Sequence, residues 1–129
     1  MAEKQQLAHA LYLGFAHKYG ASVFGCMSRD EIGQLTDTRN LLKLYAVDDP
    51  TAGLPLGTFA NAATKLLYDH LVTQGATSVD TAYAAARTVE STRITNLKAA
   101  AADATASVVL QLYTNLLDAS QRNLRAVGG

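Results

Sequence analysis

Glu31 and Gln34 stand three residues apart in the stretch DEIGQLTDTRNLLKLY, residues 30–45. Positions three apart share one face of a helix. The pair therefore has the spacing of the Glu-x-x-His element that holds metal in carboxylate-bridged di-iron bundles, with an amide in place of the imidazole. Asp30 and Glu31 do not make an acid–base pair, because adjacent helical residues point in different directions. His9 and His17, eight apart, lie on roughly one face, and His70 beside Asp69 reads as a solvated residue. The tyrosines Tyr12, Tyr45, Tyr83 and Tyr113 are expected to pack in the core with their hydroxyls hydrogen-bonded. No P-loop, dinucleotide fingerprint, nucleophile elbow or zinc spacing occurs.

Composition bounds what such a constellation can serve. The chain has 129 residues, enough for one domain with one core, and 49% of them are hydrophobic, which argues against disorder. Eleven basic and eleven acidic residues cancel, and no basic patch of the kind that reads nucleic acid is visible. Apolar runs fall far short of the roughly 18 residues of a membrane span. The opening MAEKQQ is polar and lacks the apolar core of a signal peptide, which favours a cytoplasmic location over export. The one cysteine, Cys26, rules out an internal disulfide and a cysteine-built metal site, and is expected to be a small buried residue.

Helices must position these groups. Leu7, Leu11 and Phe15 recur every four residues, predicting a first helix over 3–19 that Gly20 ends. A second helix is expected over about 21–46, with Phe24, Met27, Leu35, Leu42 and Tyr45 on its apolar side. Gly25 and Gly33 within it are expected to allow close approach of a neighbour, each costing up to roughly 1 kcal/mol of helix propensity. The segment DDPTAGLPLG, 48–57, must break the chain. A shorter helix over about 58–73 turns Phe59, Ala63, Leu66, Leu67 and Leu71 inward until Gly75 stops it. Thr77 or Ser78 caps the next, which runs to about Ala102 through Tyr83, Ala86, Val89 and Leu97. A turn near 103–105 precedes a last helix over about 106–126, with Val109, Leu112, Leu116, Ala119 and Leu124 inward. The expected architecture is thus all-α, a single domain over 1–129: four long helices in two pairs, with a short extra helix in the crossover connection.

The stretch LAHALYLGFAHKYGASVFGCMSRDE is similar to the opening of a prokaryotic ferritin-like family, a domain of unknown function. LLKLYAVDDP resembles the end of that family's second helix, LYDHLVTQG its crossover helix, and YTNLLDASQRNLRA its last helix, close to Y-E-N-L-L-x-x-S-x-N-H-L-R-A. The resemblance covers residues 5–126. It implies a ferritin-like four-helix bundle and, in intact members, a di-metal centre. Two cations a few Å apart need several carboxylates to neutralise them and neutral imidazoles to complete each shell.

Carried over residue by residue, the ligand positions have changed. The helix-one position is Gln5, not Glu. Helix two keeps Glu31 but has Gln34 where His belongs. The next long helix keeps Glu90, with Ser91 and Arg93 where acids are frequent. The last has Ser120 at the Glu position and Asn123 where His would fall. Arg93 lies one turn from Glu90 on the same face. These replacements predict a Glu31–Arg93–Glu90 cluster in the bundle interior, with Gln5, Gln34, Ser120 and Asn123 completing a polar group at the former metal site.

Two functions are expected from this set. The first is a non-enzymatic ferritin-like bundle that has lost its di-metal site and acts as a binding or structural module, with no cofactor. The alternative is an altered metal-binding oxidoreductase that holds iron or manganese through Glu31, Glu90 and His9. Self-association as a homodimer, through the crossover helix or the tyrosine-bearing faces, is a third reading.

Overall fold

The computed structural model describes all residues 1–129. The chain is all-α, with five helices and no strand: α1 Ala2–Tyr19, α2 Ser22–Leu44, α3 Ala62–Gln74, α4 Val79–Asp103 and α5 Ser107–Ala126. Gly20 takes the left-handed conformation (φ 63°) and its N–H bonds the carbonyl of Ala16, closing α1. Ser78 caps α4 through a reciprocal box with Thr81, and Asp80 sits in the first turn, where the helix dipole favours an anion.

α1 packs chiefly on α2, and α4 on α5. Both pairs are antiparallel: Gln5 meets Gln34 while His9 meets Ser28, and Glu90 meets Asn123 while Arg87 meets Val127. Lighter contacts join α1 to α4 and α2 to α5. The main core lies at the α1–α2 turn end. Tyr12, Phe15, Phe24 and Tyr83 form a chain of aromatic contacts there, over the small residues Ala82, Ala85 and Ala86. A second, smaller group, Leu97, Leu112 and Leu116, closes the other end. The polar residues between these two apolar groups belong to the site described below.

Several expected positions differ. α3 begins at Ala62 rather than near residue 58, because the Asn61 side chain accepts from the N–H groups of Ala63 and Thr64 and so fixes the start. Its buried face is Thr64 and Leu71; Leu66 is 71% exposed, and Ala63 and Leu67 are exposed as well. A short helix lying on a groove buries only a narrow stripe, so part of its apolar side stays outside. Tyr45, at the end of α2, is exposed. Cys26 is exposed, with Arg29 Nη2 donating to its sulfur at 3.3 Å. Nothing lies within 4 Å of where a Cβ would stand on Gly33, and only an Arg29 nitrogen at 3.8 Å for Gly25, so neither glycine serves close helix approach. The glycine that does is Gly75, where a Cβ would run into the Phe15 ring and come within 3.2 Å of the Ala82 Cα.

Candidate functional site

The inward positions of the four long helices bring Gln5, Glu31, Glu90, Arg93, Ser120 and Asn123 into the interior. All six are buried, and Glu31, Glu90 and Ser120 are at 0% exposure. Gln34 lies at the edge, half-buried. These residues come from α1, α2, α4 and α5, so the site exists only once both helix pairs have docked.

Arg93 is the hub. Its Nη1 donates to Glu31 Oε1 across the bundle and lies 3.7 Å from Glu90 Oε1 on its own helix. Its Nη2 donates to Gln34 Oε1 at 3.1 Å. Glu90 Oε1 also accepts from the Tyr12 hydroxyl at 2.7 Å and from Asn123 Nδ2 at 3.5 Å. Gln5 Nε2 reaches the backbone carbonyl of Gln34 at 3.5 Å, tying α1 to α2. The sequence-based cluster of Glu31, Arg93 and Glu90 is therefore assembled, with Gln5, Gln34 and Asn123 bonded around it. Tyr12 is the member that residue spacing did not assign to it. The signal was present, since Tyr12 lies seven residues after Gln5 on the same face of α1. Of the other tyrosines, Tyr83 packs in the core, but Tyr45 does not.

The electrostatics follow from the residue count. Two carboxylates and one guanidinium leave one excess negative charge if both acids are ionised. Gln5 Oε1, Glu31 Oε2 and Glu90 Oε2 accept no hydrogen bond within the protein and the Ser120 hydroxyl is unbonded, so unfilled acceptors outnumber unused donors among these atoms. Burial pushes the Glu31 carboxyl up to about 7; Arg93 pulls against that shift and the Glu90 charge adds to it. Burial, then the charge and hydrogen bond of Glu90, hold the Tyr12 hydroxyl well above the ordinary phenol range. Arg93 loses solvation too, but the two glutamates more than offset this and raise it.

His9 does not point to these carboxylates. Its Nδ1 lies 2.8 Å from Ser28 Oγ and 3.0 Å from the Ser28 carbonyl, so it ties α1 to α2 one turn away from the cluster. His17 and His70 are exposed. No group of three or more His, Cys, Asp or Glu side chains is gathered anywhere in the chain. The donor set fits a di-metal centre poorly. It offers two carboxylates, no imidazole, and a fixed guanidinium in contact with the acid that a cation would need. At an effective dielectric near 20, like unit charges about 4 Å apart repel by about 4 kcal/mol, and a divalent ion doubles that.

Residues 1–128 match a family model described as "Uncharacterized protein domain (DUF2202)". The chain is similar to the crystal structure of hypothetical protein MJ0754 from Methanococcus jannaschii DSM 2661. The two are 27% identical with a TM-score of 0.95, over 98% of this chain and 73% of that one. No curated protein matches.

Proposed function

The chain belongs to the DUF2202 family, and from that premise we propose a ferritin-like bundle whose di-metal site has been replaced by an internal ion-pair cluster. The protein then acts without enzymatic chemistry, as a binding or structural module. The observation that carries this reading is Arg93, which is buried, bonded to Glu31 and within 3.7 Å of Glu90. It supplies from the chain the positive charge that metals supply in an intact centre. The antiparallel pairs α1–α2 and α4–α5, linked through the connection that contains α3, support the ferritin-like part of the reading.

The competing reading keeps iron or manganese on Glu31, Glu90 and His9. What speaks for it is the pair of unbonded carboxylate oxygens, Glu31 Oε2 and Glu90 Oε2. The held orientation of His9 toward Ser28 speaks against it. Elemental analysis separates the two. Protein purified without chelator and then dialysed should carry only trace transition metal. Iron or manganese near one per chain would overturn the proposal.

A further inference from the structure

Beside the cluster, the seam between α1, α4 and α5 opens into a cavity of about 320 Å³. Gln5 and Arg93 form its inner end, Lys4 and Asn96 its rim, and Leu97 and Leu116 its apolar wall. A second cavity of about 130 Å³ lies toward α3, floored by Leu7 and Leu71, and shares Lys4, Arg93 and Asn96 with the first. The α4 wall of the larger cavity is visible in the sequence. Arg93, Asn96, Leu97 and Ala100 follow one another at helical spacing along α4, so one face turns from charged to apolar within two turns.

The charged side chains in these walls are basic, and the acids that Arg93 pairs with, Glu31 and Glu90, lie behind it in the interior. Lys4 and Arg93 are the charged side chains that line the cavities, and no acid does. Glu3, next to Lys4 in the chain, is engaged elsewhere: it accepts from the Asn61 N–H at 3.1 Å and from the Thr64 hydroxyl at 3.4 Å. Lys4 forms no ion pair in the protein, whose salt bridges are Arg39–Asp49, Lys65–Asp69 and the two made by Arg93. Arg93 commits Nη1 and Nη2 to the interior, and its Nε–H makes no protein hydrogen bond. An ammonium, a guanidinium N–H and a carboxamide around an apolar recess together match one chemistry. A carboxylate would bond to the three donors, while a short hydrocarbon body would lie on Leu97 and Leu116. The volume sits at the small end of the roughly 300–1,000 Å³ usual for ligand sites.

We propose that this double cavity binds a small monocarboxylate with an aliphatic body, its carboxylate at Lys4, Asn96 and Arg93 and its chain along the leucine wall. The proposal names a ligand class for the binding module above and rests on that reading. The test uses the full chain, labelled with ¹⁵N and titrated with hexanoate, with hexylamine as the control of equal length and opposite charge. Hexanoate should shift the amide signals of Lys4, Asn96, Leu97 and Leu116 saturably, and hexylamine should not. Lys4 is exposed and forms no ion pair, so Lys4→Glu should keep the wild-type helical circular dichroism spectrum while weakening hexanoate binding by about tenfold or more. Absence of saturable shifts at these residues, equal binding of hexylamine, or an unchanged affinity in Lys4→Glu would overturn the site. Metal content measured on the same sample keeps the two failures apart. A metal-loaded protein overturns the proposed function, and a metal-free protein indifferent to hexanoate overturns only the ligand.

Discussion

Replacing Glu31 by Gln should remove a pH dependence that the wild-type protein carries between about pH 4.5 and pH 7. Glu31 has no exposure in the folded chain, and burial raises its carboxyl from 4.5 to about 7. Below the unfolded value the group is protonated in both states and contributes nothing. As pH rises past about 4.5 the unfolded chain releases the proton while the folded chain keeps it, so unfolding is favoured. The loss is complete once pH exceeds about 7, where both states are ionised. At about 1.36 kcal/mol per unit, the raised value corresponds to a loss on the order of 3 kcal/mol. Asp49 acts with the opposite sign and in another window. Burial raises it, but bonds from Thr51 and Arg39 outweigh that and set it below 3.8, so its contribution is lost only under more acid conditions. Glu31→Gln keeps an acceptor for Arg93 and carries no proton to lose. Urea unfolding followed by circular dichroism at several pH values reads the difference directly. The wild type should lose stability as pH rises across the window, while the variant should not and is at least as stable at about pH 8. A wild-type profile that is flat, or a slope that persists in Glu31→Gln, would refute the reasoning.

Arg93→Met should cost about 3–5 kcal/mol, because it leaves Glu31 and Glu90 buried without their counter-charge. Adding Glu31→Gln to it should recover much of that loss, and strictly additive single changes in denaturant unfolding would refute the coupling. Tyr12→Phe removes the buried 2.7 Å bond to Glu90 and should destabilise by about 1–3 kcal/mol; an unchanged melting temperature would count against Tyr12 as a member of the cluster. Gly75→Ala forces a methyl into the Phe15 ring and should cost about 1–3 kcal/mol in thermal unfolding, whereas Gly33→Ala, with open space around it, should be neutral or stabilising.

The helices were legible in the sequence because their signals are local. The apolar repeat of α1, the glycines after α1 and α3, the prolines at 50 and 55 and the Ser78 cap each act over a few residues. The polar residues of the interior were legible too, since Glu31, Glu90 and Arg93 are types that cannot be buried singly and stand at inward helical positions. Contacts between elements could not be read this way. Leu67 and Leu71 stand four apart on one face of α3, yet the first is 36% exposed and the second is sealed in the core. Leu66 and Leu71 have the same apolarity, and only Leu71 meets the bundle. Arg93 stands three residues from Glu90 and sixty-two from Glu31, and it makes its direct hydrogen bond with the distant one. Sequence spacing sets which side chains share a face of one helix. Which facing side chain a charge can reach depends on where the neighbouring helix lies, and packing decides that.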